Sequence, residues 1–384
     1  MKRTFDEINE KIKSGKAAVL TGQEAKELIN QRGIKHFCEN VDIVTFAAFE
    51  LNVNALLYIN FGQTDPLIYF SEAYINNVPV YPTGPTDLVV SCVASSKDNP
   101  EYSGANIVED LVRNKDMFLK ATGKAYDVFP NREFETWFSI KNLNHSRLLL
   151  NQAVNQNNIV AANSGNIDLN SHMGNLIAHL ENSTFSSSSF LNPLVNDPFC
   201  RAIGAGTRVW VAGSEGLVIG HGSNHNPLQE RNSFNIPVGS GTTLSVMADV
   251  NNMNSRWVRG GYLKSFGPVL FVGIGIPIPV LDEEIAECMS ITDDKIHTTI
   301  VDFAIPRRTK PTFGQCTYKE LRTSTVMINK KPTLSAPISS MSGAVEICTI
   351  LKDLILAQKF LLSTFNFPID LKMDIKKLDS RLAE

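Results

Sequence analysis

The fold class predicted from this sequence is α+β with mixed sheets, on three observations. Short helical and strand-like patterns alternate through roughly the first 160 residues, whereas strand patterns dominate from Thr207 onward. Over 384 positions, 43% hydrophobic and 20% charged residues supply material for a substantial core. The length admits one large domain or two. The expected division is an N-terminal α/β portion (1–160) and a strand-rich C-terminal portion (161–384), as two units or one continuous domain. A ligand cleft is expected where they meet.

The elements follow in order. Phe5, Ile8 and Ile12 form one helical stripe, opened by a Thr4/Glu7 capping box. Val19 centres a short strand, and Thr21 caps a second helix that Gly33 ends. Val41–Phe49 and Leu56–Phe61 read as buried strands, Gln63–Pro66 as a turn, and Tyr74–Tyr81 as a strand broken by Pro79. A helix over Ala105–Arg113 and a strand over Met117–Thr122 follow. A strand through Trp137–Ile140 then leads into a helix over Leu143–Gln152. Residues 151–192 are rich in Asn and Ser but carry Ile159, Leu176 and Phe185, so an ordered, loop-rich stretch is expected rather than a linker. Strands are predicted at Arg208–Ala212, Leu217–Gly220, Thr243–Ala248 and Val269–Gly273. Helices are predicted near Ser255–Gly260 and Asp282–Cys288, and an amphipathic helix over Ser342–Phe360 closes the pattern.

A formal net charge of -3 and scattered Lys and Arg give no footprint for nucleic acid or an anionic membrane. Lys376–Lys377 reads as a solvated face. The apolar stretch Pro268–Leu281 is broken by Pro277 and Pro279 and is too short to span a bilayer as a helix. The N-terminus is charged and helical in pattern, so a cytoplasmic protein is expected. The six cysteines include no C-x-x-C pair and read as reduced, buried thiols. Gly204–Thr207 and Gly239–Thr243 lack Walker and dinucleotide spacing and read as tight turns. His221 and His225 are four apart, but Gly222, Asn224 and Pro227 make this a loop rather than a helical metal pair, so no metal site is expected.

Several motifs occur in one consistent order: Asn60–Pro66 (NFGQTDP), Ile75–Pro79 (INNVP), Gly104–Leu111 (GANIVEDL) and Asp127–Pro130 (DVFP). Asn196-Asp197-Pro198, Ile203–Arg208 (IGAGTR), His225-Asn226-Pro227 and Gly273–Pro279 (GIGIPIP) continue it. Together they resemble the homocysteine-biosynthesis family of aspartate-semialdehyde sulfurtransferases over roughly residues 4–360. The family resemblance implies a cysteine seven residues before Asn60 and another directly after Asp127. Val53 and Val128 stand there. Valine has neither the nucleophile for a persulfide nor a lone pair for a metal. No cofactor is therefore evident, and an iron–sulfur cluster is not expected.

The resemblance implies a small amino-acid-like or aldehyde substrate, with Asp65, Asp127 and His225 as acid–base candidates. Asn60, Gly62, Arg208 and Asn226 are the substrate-holding candidates, Arg208 as a bidentate carboxylate partner. Beside each stands a structural reading: turn chemistry for Asn60, Asp65 and Asp127, and a strand-edge ion pair for Arg208. Two other functions stay open: a catalytically silent relative that binds a metabolite or partner protein, and a sulfurtransferase using Cys92 or a partner's thiol. A separate electron donor or sulfur carrier, and a homo-oligomer, are the macromolecular partners to expect.

Overall fold

The computed structural model describes residues 2–376. Lys377, one half of the basic pair, lies outside the described residues. A 14-stranded mixed sheet and a six-stranded sheet carry the fold. The α+β expectation holds, and helices lie against the larger sheet.

The first helix, Phe5–Lys13, buries Ile8 and Ile12, and its capping box forms as the sequence requires. The second, Gly22–Asn40, is interrupted at Gly33 (φ 81°), where the predicted helix end falls, and the chain then re-enters helix to Asn40. Near one edge of the large sheet lies the long antiparallel pair Ile43–Asn52 and Gly267–Pro279. The predicted strand Val269–Gly273 is thus part of a 13-residue strand that absorbs Pro277 and Pro279.

Three elements differ from the expectation. His145–Asn155 is a strand, where a helix over Leu143–Gln152 was expected. Its leucines favour helix, but Ser146, Leu148 and Leu150 alternate into the core, and strands Ala55–Asn60 and Thr243–Asp249 pair with it on both sides. Tyr74–Tyr81 is a hairpin of Phe70–Ile75 and Val78–Pro82. Asn76 (φ 46°) and Asn77 (φ 63°) supply the two left-handed residues that a tight hairpin needs. The helix near Ser255–Gly260 shrinks to one turn, Ser255–Trp257, before strand Val258–Leu263.

Strands from both sides of residue 160 interleave in the large sheet: Ile43–Asn52 pairs with Gly267–Pro279, and His145–Asn155 with Thr243–Asp249. The six-stranded sheet is built from strands Val160–Ala162, Asn182–Phe185, His297–Asp302, Thr312–Thr317, Thr325–Ile328 and Lys331–Pro337. Its own core includes Phe185, Ile296, Ile300, Tyr318 and Ile328. The loop-rich stretch 151–192 is ordered, as expected. Its Ser186–Ser189 segment is buried, with Glu50 accepting from the Ser188 backbone N–H at 2.7 Å and the Tyr318 hydroxyl donating to Ser186 O at 2.9 Å.

The C-terminal helix Met341–Leu356 packs on strands Val19–Thr21, Ile43–Asn52 and Gly267–Pro279. Beyond it, Phe367–Pro368 pairs with Gly204–Ala205 and carries the chain back over the body. Among the described residues no helix is long and apolar enough to cross a membrane.

Candidate functional site

A cavity of about 1050 Å³ opens where the two sheets meet. The larger sheet contributes Leu51, Val53, Gln152, Asn155 and His221, the smaller one Thr299, Val301 and Thr312. Val53 occupies the turn between strands Ile43–Asn52 and Ala55–Asn60, and it faces the cavity together with Leu51. The position where the family resemblance implies a cysteine is therefore in the wall of this cavity.

Opposite lies the loop after strand Ser214–His221. Gly222 holds it close, because a Cβ there would stand 2.3 Å from the Asn151 carbonyl oxygen and 2.8 Å from that of Leu244. His221 and His225 stack with ring centroids 5.0 Å apart. They differ sharply in freedom. His225 is buried; its Nδ1 accepts from the Thr243 N–H at 3.2 Å, so its proton sits on Nε2, which donates to Asp370 O at 2.7 Å. Both ring nitrogens are thus committed to backbone, and burial lowers its pKa. In this conformation His225 fastens the returning C-terminal segment rather than shuttling protons. His221 is exposed, and among the described residues its ring has no hydrogen-bond partner. A second imidazole, His172, also lines the cavity and has no hydrogen-bond partner among the described residues.

Replacing His225 with alanine is expected to release the segment around Asp370. Limited proteolysis would then cut within 366–376 several times faster than in the parent, with a stability loss of about 1–3 kcal/mol for the two lost bonds. Because the folded pKa is depressed, the contribution of His225 is present above its ordinary value and lost as pH falls through the lower folded one. Acidification should therefore mimic the substitution.

Six amides line the cavity, Gln152, Asn155, Asn158, Asn224, Asn226 and Gln229, beside apolar groups such as Ile159, Met173 and Phe266. Asn226 donates to Gln229 Oε1 at 3.0 Å, and Ser240 Oγ donates to Asn158 Oδ1 at 3.2 Å. Lys376 reaches the cavity, so at least this half of the basic pair is more than a solvated face. No Asp or Glu lines the cavity among the described residues. Neutral donors with one ammonium and no carboxylate favour a small anionic ligand.

The other candidates lie elsewhere. Asn60 is at the far end of strand Ala55–Asn60 from Val53, about 20 Å away at the rise of a strand. Its amide donates to Asp87 at 2.7 Å and accepts from the Gly62 N–H at 3.0 Å, which is turn chemistry. Gly62 (φ 78°) is required because a Cβ would meet the Asn144 amide nitrogen at 2.7 Å. Asp65 and Asp127 are both exposed, on neighbouring segments joined by the Asn131 amide donating to Pro66 O at 3.1 Å. Val128 is 66% exposed on the Tyr126–Phe129 turn. Arg208 lies in a separate hollow of about 420 Å³ with His145, Arg147 and Glu215, its Nε 3.7 Å from Glu215. The structure thus brings Val53, His225 and Asn226 together, and places Asp65, Asp127, Val128, Asn60, Gly62 and Arg208 outside that cavity.

Gln152, Asn155 and Asn158 were not singled out from the sequence. The available signal was the density of amides in 151–158, which is unusual for so apolar a neighbourhood.

No cysteine lines the cavity among the described residues. Cys92 is 1% exposed in the main core, and burial pushes its thiol to about 12. Burial raises the other five as well, Cys288 to about 11 and Cys348 to about 12. Among the described residues no three His, Cys, Asp or Glu side chains converge to hold a metal ion. The residues present do not fit an iron–sulfur group.

The comparisons with known proteins agree with the family resemblance. Residues 17–362 match the family model described as "Homocysteine biosynthesis enzyme, sulfur-incorporation". An L-aspartate semialdehyde sulfurtransferase of Methanocaldococcus jannaschii is 35% identical, covering 94% of this chain and 72% of the relative. Another from Methanosarcina acetivorans is 32% identical, over 94% of this chain and 71% of the relative. An uncharacterized protein of Methanothermobacter thermautotrophicus is 24% identical over 78% of this chain and 68% of its own length. No solved structure matches. The chain belongs to the homocysteine biosynthesis, sulfur-incorporation enzyme family.

Proposed function

We propose that this chain binds a small carboxylate-bearing aldehyde or amino-acid-like substrate in the cavity beside Val53 and acts on it without a cysteine persulfide. One observation carries this reading. The cavity wall carries His225 and Asn226 of the family motifs and, where the resemblance implies a cysteine, Val53 instead of a thiol. In this reading Lys376 and the amides hold the substrate carboxylate, and His221 serves the carbonyl.

Sulfur then comes from outside the chain as hydrosulfide. Addition of HS⁻ to the aldehyde carbon forms the C–S bond while the carbonyl π pair moves onto oxygen, which takes a proton from the His221 imidazolium. The product is a hydroxythiol, RCH(OH)SH. Conversion to a thiol releases water and consumes two electrons and two protons, which a separate electron-donor protein would supply. Cys92 is poorly placed to substitute for the missing thiol, since burial keeps it protonated and out of the cavity.

The silent-relative alternative draws on the commitment of both His225 nitrogens and on the distance of Asp65 and Asp127 from the cavity. Val53→Trp, which fills the cavity wall, is expected to weaken binding of aspartate semialdehyde at least tenfold in calorimetry. Undiminished binding in that variant would sink the assignment of the site. With sulfide and a low-potential reductant, homocysteine formation by the parent protein separates the enzyme from the silent relative. Its loss in His221→Gln, with binding retained, supports the proton-transfer role.

A further inference from the structure

Two parts of the cavity wall differ in chemistry. Asn224, Asn226 and Gln229 give one part its amides, whereas the tip of the hairpin Leu169–Ser171 and Gly174–Leu176 brings apolar atoms to another. Met173 at that tip is 1% exposed and belongs to a small apolar cluster with Leu176, Phe303 and Ile338. Beside it, the His172 ring lies 5.8 Å from that of Phe266 and 5.7 Å from that of Phe303, centroid to centroid. Phe266 comes from the turn between strands Val258–Leu263 and Gly267–Pro279, so rings from three separate segments meet here.

His172 is exposed at the cavity, and its ring makes no hydrogen bond among the described residues. The elements packed about it are rich in cations: Lys264 in the Phe266 turn, and Arg307, Arg308 and Lys310 in the loop after Phe303. The Lys310 ammonium stands 5.4 Å from the Phe303 ring centre and donates to Ile305 O at 3.0 Å. The carboxylates nearby are occupied. Asp168 accepts from the Ala178 N–H at 2.9 Å, and Asp302 from the Ser164 N–H at 3.2 Å and from its hydroxyl. The cavity wall adds His221, His225 and Lys376. Crowding by neighbouring atoms, and after it the Lys310 ammonium, hold the His172 pKa below its ordinary value. At neutral pH the ring is therefore uncharged, with a lone pair to accept a proton.

We propose that the wall around His172 binds the sulfur donor as neutral hydrogen sulfide and that His172 takes its proton. The inference rests on the reaction proposed above and assigns its sulfur subsite. A sulfur hydride is a weak donor and a weak acceptor, so it suits a wall of thioether and phenyl groups and would leave amides unpaired. The S–H bond breaks, its electron pair stays on sulfur, and the proton passes to a free ring nitrogen of His172. The hydrosulfide then attacks the aldehyde carbon, while the carbonyl oxygen takes its proton from His221. His172 afterwards releases its proton to solvent and His221 regains one, so both end the step unchanged. The cationic loop serves the same end, because the field that disfavours a charged imidazole favours the anion formed beside it.

Two readouts test this. Sodium sulfide added to the parent near neutral pH should move the His172 C2–H signal in NMR, identified by its loss in His172→Gln. In homocysteine formation with a low-potential reductant, His172→Gln should lower kcat/KM for sulfide at least tenfold and leave KM for aspartate semialdehyde within about twofold. His172→Phe, which fills the space between the two phenyl rings without a proton acceptor, should lose as much. Lys310→Gln should move the acidic limb of kcat/KM, expressed per neutral hydrogen sulfide, to higher pH, because the His172 pKa rises without the ammonium. A packing role alone would not move that limb. A His172 signal indifferent to sulfide, or unchanged kcat/KM in folded His172→Gln, would overturn the inference. An inactive parent whose His172 signal still responds to sulfide would lose the proposed reaction and keep the sulfide site.

Discussion

Gly222→Ala is expected to lose about 3 kcal/mol of stability, the upper part of the range for forcing a methyl group into packed surroundings. Its Cβ would stand 2.3 Å from Asn151 O and 2.8 Å from Leu244 O, both backbone atoms of central strands. Neither can swing aside as a side chain would. The Gly222 N–H donates to Thr243 O at 2.8 Å and the Ser223 N–H to Asn151 O at 2.6 Å, so relief of the clash breaks these bonds. The loop between His221 and His225 would move, and substrate affinity should fall with stability. Gly220→Ala is the control: nothing lies within 4 Å of its Cβ, and only the backbone conformation (φ 147°) is strained. It should cost about 1 kcal/mol. Equal urea-unfolding losses for the two variants would show that close approach is not what position 222 requires.

Glu50→Gln is expected to stabilise the protein at pH 8 by up to about 3 kcal/mol and to flatten its pH profile. Burial raises the Glu50 carboxyl from 4.5 to about 7, opposed by hydrogen bonds from Ser188. A raised folded pKa means that the native state binds the proton more tightly than the unfolded chain. Stability is therefore full below about pH 4.5 and lost as pH rises through about 7. Glutamine keeps the oxygen that accepts from the Ser188 N–H and hydroxyl but never ionises. Urea titrations at pH 5 and pH 8 check it: the parent should be the less stable at pH 8, and the variant nearly level. The consequence for the site is direct, since Glu50 anchors the buried serine segment whose Ser186 lines the cavity.

Legibility of the site followed sequence distance. His225 and Asn226 were readable because they fall inside the His225-Asn226-Pro227 motif of the family resemblance, and Val53 because that resemblance implies a cysteine seven residues before Asn60. The role of His225 was not readable. Its two partners, Thr243 and Asp370, are 18 and 145 residues away, and only they decide that its nitrogens are committed. Asp65 and Asp127 were attractive as carboxylates beside motif positions, yet a motif's residues need not converge. The strand Ala55–Asn60 separates its two ends by its own length. That His221 lines the cavity without a hydrogen-bond partner among the described residues is visible only in the structure.

The sequence by itself determined the family, the mixed fold class, the capped first helix and the buried character of Val41–Phe49. These rest on motif order and local chemistry: capping residues and apolar runs. Tertiary structure decided the remainder. Leucines that favour helix became the strand His145–Asn155 because paired strands on both sides supply more backbone hydrogen bonding and burial than one exposed helix face. The same pairing aligned Leu56, Leu149, Met247 and Leu217 into a single row across the sheet, and set Val53 against His221 and Asn226 from strands far apart in sequence. Register between distant strands is a collective property of the packed core, which is why no local pattern announces it.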